Sequence, residues 1–167
     1  PTRRSSDLLR ERLLPFFAHA GSLVAALEAK GRMEPVDAEA AAAMLHEACA
    51  ALTTATRAVQ DGERDAFTPP DARAAADELA DLHRALTAWR AFHDGYDPSF
   101  SWWTRAPWQR YEEAQRAYVA AIRTRLVDGK AGDASLVGEP IGEAGLLAHL
   151  THEFVPYSPA ELVAIAE

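Results

Sequence analysis

The chain has 167 residues, of which 49 % are hydrophobic, with 25 acidic side chains against 17 basic ones and a formal net charge of −8. Alanine supplies 36 of the apolar residues, and valine with isoleucine only 11, a composition that favours helices and leaves little for a sheet. Basic runs are absent, which excludes a nucleic-acid groove; a single cysteine, Cys49, excludes an internal disulfide and a cysteine-based zinc finger.

The chain opens on Arg3, Arg4, Arg10 and Arg12 and then an uncharged run from Leu13 to Leu27. That run is too short and too polar to span a bilayer. A secretory leader is not matched, because Asp7 and Glu11 interrupt the arginines and no small-residue cleavage site follows. A short helix is expected over about 6–13. Pro15 suits the first turn of the next, whose stripe is Phe16, Ala20, Leu23 and Leu27 and which Gly31 should end.

Three longer helices are expected near 38–60, 70–92 and 107–127. In the first, Ala41, Leu45, Ala48, Leu52, Ala55 and Val59 alternate steps of four and three, a seam that requires a partner helix. Cys49 is placed with its core-facing side. In the second, Thr68 caps, Pro69 takes the first turn, and Ala72, Ala75, Ala76, Leu79, Leu82, Leu86 and Trp89 share a face. In the third, Pro107 is read as the start, and Trp108, Tyr111, Gln115, Tyr118, Ile122 and Leu126 form the stripe. Glu112 and Arg116, four apart, can pair. Segments 94–106 and 129–142 read as loops, the first densely aromatic. A short helix over 143–154 should stop before Pro156. Ser158-Pro159-Ala160-Glu161 is a capping box that starts a last helix. The expected architecture is therefore all-α, an irregular bundle of about five to six helices forming one unit over 1–167.

No catalytic constellation emerges from the residues alone. His149, His152 and Glu153 have neither the His-Glu-x-x-His order of a zinc protease helix nor its inverse, and Pro156 stands where a ligand would be needed. They read as a helix end, and tight zinc binding by this chain is not expected. Gly138-Glu139-Pro140-Ile141-Gly142 lacks phosphate-loop spacing and reads as a turn. Tyr96, Phe100, Trp102, Trp103 and Trp108 admit two readings: a pocket wall or a packing plug.

Three stretches carry a family resemblance: Tyr96-Asp97-Pro98-Ser99-Phe100-Ser101-Trp102-Trp103, Leu136-Val137-Gly138-Glu139-Pro140-Ile141-Gly142-Glu143-Ala144-Gly145-Leu146-Leu147, and His152-Glu153-Phe154-Val155-Pro156-Tyr157-Ser158-Pro159-Ala160-Glu161-Leu162. Together they resemble the domain of unknown function 885 family, bacterial helical zinc-peptidase-like proteins often labelled X-Pro dipeptidyl-peptidase or carboxypeptidase-like. The likeness is dense over 94–167 and diffuse before it. It implies that the chain is the N-terminal helical portion of a longer hydrolase. The zinc helix of such a protein, with His-Glu and a downstream Pro-Gly-His, lies beyond the point matching Glu167. No family metal ligand maps onto this chain, so zinc is expected in the parent and no cofactor here.

The implied partners are the parent's C-terminal catalytic half and a peptide substrate, with no nucleic acid and no membrane span. Tyr96, Trp102, Trp103, Arg105 and Tyr157 are the candidate wall of the peptide cleft. The alternative is a self-contained helical binding module without enzymatic activity. In the fragment reading, Leu162, Val163 and Ile165 should face water near the C-terminus.

Overall fold

A computed structural model of the chain describes residues 12–130, 142–153 and 155–166. Among them the fold is all-helical. A 3₁₀ turn, Leu14–Phe17, precedes α1 (Gly21–Gly31), α2 (Ala38–Gln60), α3 (Pro69–Asp94) and α4 (Pro98–Ala121). A π-helical turn, Ile122–Val127, prolongs α4, and α5 (Gly142–His152) and α6 (Pro159–Ala166) follow. No helix among the described residues is long and apolar enough to cross a membrane.

Helices α2, α3, α4 and α6 start where the chain supplies side-chain acceptors for their unpaired first-turn amides. The Asp37 carboxylate accepts from the Ala40 amide at 2.7 Å, and the Thr68 hydroxyl from the Asp71 amide at 3.3 Å. In α6 the capping box is complete: the Glu161 amide donates to the Ser158 hydroxyl at 3.3 Å, and the Ser158 amide to the Glu161 carboxylate at 2.7 Å. The ends of α1 and α2 use left-handed residues. Gly62, at φ 86°, closes α2, with the Glu63 amide donating to the Ala58 carbonyl. The α1 end repeats this motif, and the helix stops at Gly31 as the sequence implies. Gly31 remains helical, and Met33 takes the left-handed position at φ 60°, with the Glu34 amide donating to the Ala29 carbonyl.

The seams pack as the periodicity requires. Ala41, Leu45, Ala48, Leu52 and Val59 are buried on α2, which runs along α4 for most of its length. Alanines on α2 let the backbones approach, and the bulk of Trp108, Tyr111 and Tyr118 fills the space from the α4 side. Cys49 stands at the edge of this seam rather than inside it, half-buried, its thiol donating to the Arg110 carbonyl at 3.6 Å. Helix α3 buries Ala72, Ala75, Ala76, Leu79, Leu86 and Trp89. Its buried Asp71 is held by the Arg12 guanidinium at 2.6 Å and by the Thr68 hydroxyl at 2.7 Å. Arg12 and Leu13 are helical; the rest of the helix expected over 6–13 lies outside the described residues.

The expected loop over 94–106 is not a loop. Only Gly95 to Asp97 interrupt the helices, and α4 begins nine residues before the expected start. Asp97 accepts the Ser99 amide at 2.8 Å, Pro98 takes the first turn, and Pro107 is internal. An internal proline forfeits one helical hydrogen bond at a cost of ~3 kcal/mol. Burial of Phe100 and Trp108 on either side of it, ~1.5–3 kcal/mol for each side chain, offsets that cost. The other expected loop, 129–142, falls largely on residues outside those described; Gly142, at φ 68°, opens α5. The Glu112–Arg116 pairing takes another form: Arg116 Nε donates to the Glu112 backbone carbonyl at 3.3 Å.

At the end of α4 the chain buries Ile122, Leu126 and Val127 together. Residues 122 and 127 would lie about 140° apart around a regular α-helix, and the wider π turn brings them closer to one face. The same turn brings Arg125 to Asp65 at 3.1 Å, tying α4 to the α2–α3 connection.

Candidate functional site

The aromatic segment divides by helix face. Phe100, Thr104, Trp108 and Tyr111 follow at steps of four, four and three and point inward, in phase with Gln115 and Tyr118. Trp102, Trp103 and Arg105 fall between those steps and are left outside. Trp102 is 71 % exposed and Trp103 38 %, and their rings meet edge to face at 5.0 Å. Tyr96, in the turn before α4, is 90 % exposed. The segment therefore divides: Phe100 and Trp108 plug the bundle, and Tyr96, Trp102 and Trp103 stand exposed outside it.

The plug is built around Trp89. Its ring meets Phe100 at 5.3 Å and His93 at 5.3 Å, while Phe92 lies 5.0 Å from His93 and carries Lys30 Nζ 4.7 Å above it. Burial, and then the nearby Lys30 charge, hold the His93 imidazole below its ordinary pKa against the opposing pull of Asp97. A cavity of about 190 Å³ opens here, with Trp89 and Met44 on its apolar side and Lys30, Glu34, Asp37 and His93 as its polar groups. It is below the several hundred Å³ usual for small-molecule pockets.

A second aromatic group surrounds Trp108. His83 stacks on its ring at 5.9 Å, and the Arg90 guanidinium lies 5.3 Å from its centroid. Arg90 reaches Asp94 at 3.5 Å, yet its Nε, like His83 Nδ1, is buried without a hydrogen bond. Burial, Glu112 and Arg116 act on His83 in that order of weight, and burial, lowering the pKa, prevails.

Tyr157 is exposed between α5 and α6 and makes no ring contact with the α4 aromatics among the described residues. Of the five candidate wall residues, the structure groups Tyr96, Trp102, Trp103 and Arg105 on the first turns of α4 and the turn before it, and leaves Tyr157 on a separate element. Val163 and Ile165 are exposed, as expected, and Leu162 is half-buried. The side chains of His149 and His152 lie outside the described residues, and no group of three His, Cys, Asp or Glu side chains elsewhere among the described residues could hold a metal ion.

His19 carries no motif signal, and sequence reasoning passed over it. It is buried in the turn before α1, 6.0 Å from the Tyr118 ring, with Nε2 unpaired, and burial lowers its pKa to about 4. No family model, curated protein or solved structure matches this chain.

Proposed function

We propose that this chain is a non-catalytic helical part of a zinc-dependent peptidase and walls the peptide cleft of the complete protein. The reading rests on the three family-like stretches, and the observation that carries it is the outward face of α4. Two tryptophans stand exposed there on a helix whose inward face is packed, with a tyrosine exposed in the turn just before it. Large rings on a rigid element bind extended peptide at low entropic cost. Zinc would be held by the remainder of the parent, since the family's ligands match no position here; no catalytic step is assigned to these residues.

The test is peptide hydrolysis by the complete zinc-loaded gene product. The expected outcome is that Trp102→Ala and Trp103→Ala raise KM several-fold (about 5-fold) with kcat little changed, because they remove binding shared by ground and transition states. A parent gene without a downstream His-Glu…Gly-His helix would refute the reading. A second reading, a self-contained helical binding module, draws support from a core that closes on itself between Leu13 and Val127. It predicts that the chain alone binds aromatic peptides through the same face.

A further inference from the structure

A groove of about 910 Å³ runs between the Leu14–Phe17 turn with α1 and the middle of α3. Its apolar lining includes Leu14, Phe17, Val24 and Leu82. Leu14 is 59 % and Val24 41 % exposed, so apolar surface here is open to water. Ala20, Gly21 and Ala25 on one side and Ala85 on the other leave the groove wide, and a Cβ added at Gly21 would meet nothing within 4 Å. Glu28, Glu78 and Asp81 complete the lining, with no basic residue among the described residues that form it. Asp81 is met by Arg84 at 2.7 Å and Glu28 by Arg32 at 3.8 Å, both pairs solvent-exposed; Glu78 has no ion-pair partner among the described residues.

We propose that this groove docks an amphipathic helix of a partner polypeptide, with an apolar stripe flanked by lysine or arginine. Both walls are helices, so there is no free strand edge for an extended peptide to pair with, whereas a third helix can seat its ridge between two others. The acidic lining selects the flanking charge. A second copy of this chain fits poorly, since its net charge is −8. The exposed apolar helix α6 fits poorly as well, because Glu161 is its charged group among the described residues. This docking is independent of the aromatic wall and of the peptidase reading.

The length of α1, 11 residues, sets the length of the probe. Fluorescence anisotropy would follow a labelled leucine–lysine peptide of about 12 residues, patterned as an amphipathic helix. Saturable binding is expected, with Val24→Asp, Leu14→Asp and the double variant Glu78→Lys/Asp81→Lys each weakening it about tenfold or more. The control Glu47→Lys/Glu113→Lys makes the same change in net charge at exposed positions outside the groove and should stay within about twofold of the parent chain. Circular-dichroism melts of every variant separate lost docking from lost folding, and the partial exposure of Leu14 and Val24 makes both substitutions tolerable. Equal weakening by the two charge-reversed pairs would overturn the proposal, because the peptide would then be sensing net charge. So would equal binding of a leucine–glutamate peptide. Binding that appears only after deletion of residues 1–11 would assign the groove to the chain's own N-terminal segment instead, and self-association abolished by Val24→Asp would assign it to a second copy.

Discussion

The Tyr118 hydroxyl donates to the Phe16 carbonyl at 3.2 Å across 102 residues of sequence, deep inside the bundle. Phe16 sits in the 3₁₀ turn before α1, where its carbonyl has no regular helical ladder to join, and Tyr118 lies near the end of α4. Burial raises the Tyr118 pKa to about 12, Arg64 opposing, so the phenol keeps its proton and serves as donor. Tyr118→Phe keeps the ring and strands a buried carbonyl, which should cost ~1–3 kcal/mol. A urea midpoint unchanged from the parent chain would refute this.

Acid should weaken the fold through His19. The folded-state pKa of about 4 lies below the ordinary 6.5, so between those values the unfolded chain binds the proton that the folded chain refuses. The stability from neutral His19 is fully present above pH 6.5 and is lost as pH falls towards 4, by about 3 kcal/mol at most. His83 and His93, also lowered first by burial, act in the same direction. Denaturant titrations from pH 7.5 to 4 should show this slope, and His19→Phe should flatten much of it.

Two helix ends should respond oppositely to substitution. Met33 is exposed and left-handed, so Met33→Gly relieves a backbone cost and should stabilise the chain by about 0.5–1 kcal/mol. Gly62 is left-handed with a reason to remain glycine: an added Cβ would lie 2.9 Å from the Arg125 guanidinium and 3.0 Å from the Asp65 carboxylate. Gly62→Ala should therefore destabilise by about 1–2 kcal/mol. Thermal melts giving the same sign for both would contradict the assignment of the caps.

The division of the α4 aromatics is open to a stability test needing no ligand. Trp108→Ala should cost ~3–5 kcal/mol, since the ring fills the space between α2 and α4 under His83 and Arg90. Trp102→Ala, on the solvent face, should stay within about 0.5 kcal/mol of the parent chain. Comparable losses at the two positions would place Trp102 in the core and remove it from the wall.

Sequence alone determined the helical class, the three long helices and nearly all of their buried faces. Burial of an amphipathic stripe is a local, periodic requirement written into spacings such as Ala41, Leu45, Ala48 and Leu52. The start of α4 was legible too, in the Asp97-Pro98-Ser99 cap and in the spacing of Phe100, Thr104 and Trp108; the internal Pro107 hid it, because a proline reads equally as a first turn. The partition of the aromatic segment into Trp102 and Trp103 outside and Phe100 and Trp108 inside follows once that helix phase is known. Tertiary structure alone decided the rest. Met33 became a left-handed cap, Ile122–Val127 widened into a π turn, His19 was buried as a neutral ring, and an acidic apolar groove opened beside α1. Each depends on which distant surface meets the residue, and pairings such as Phe16 with Tyr118 and Asp65 with Arg125 join positions whose local sequences carry no mark of one another.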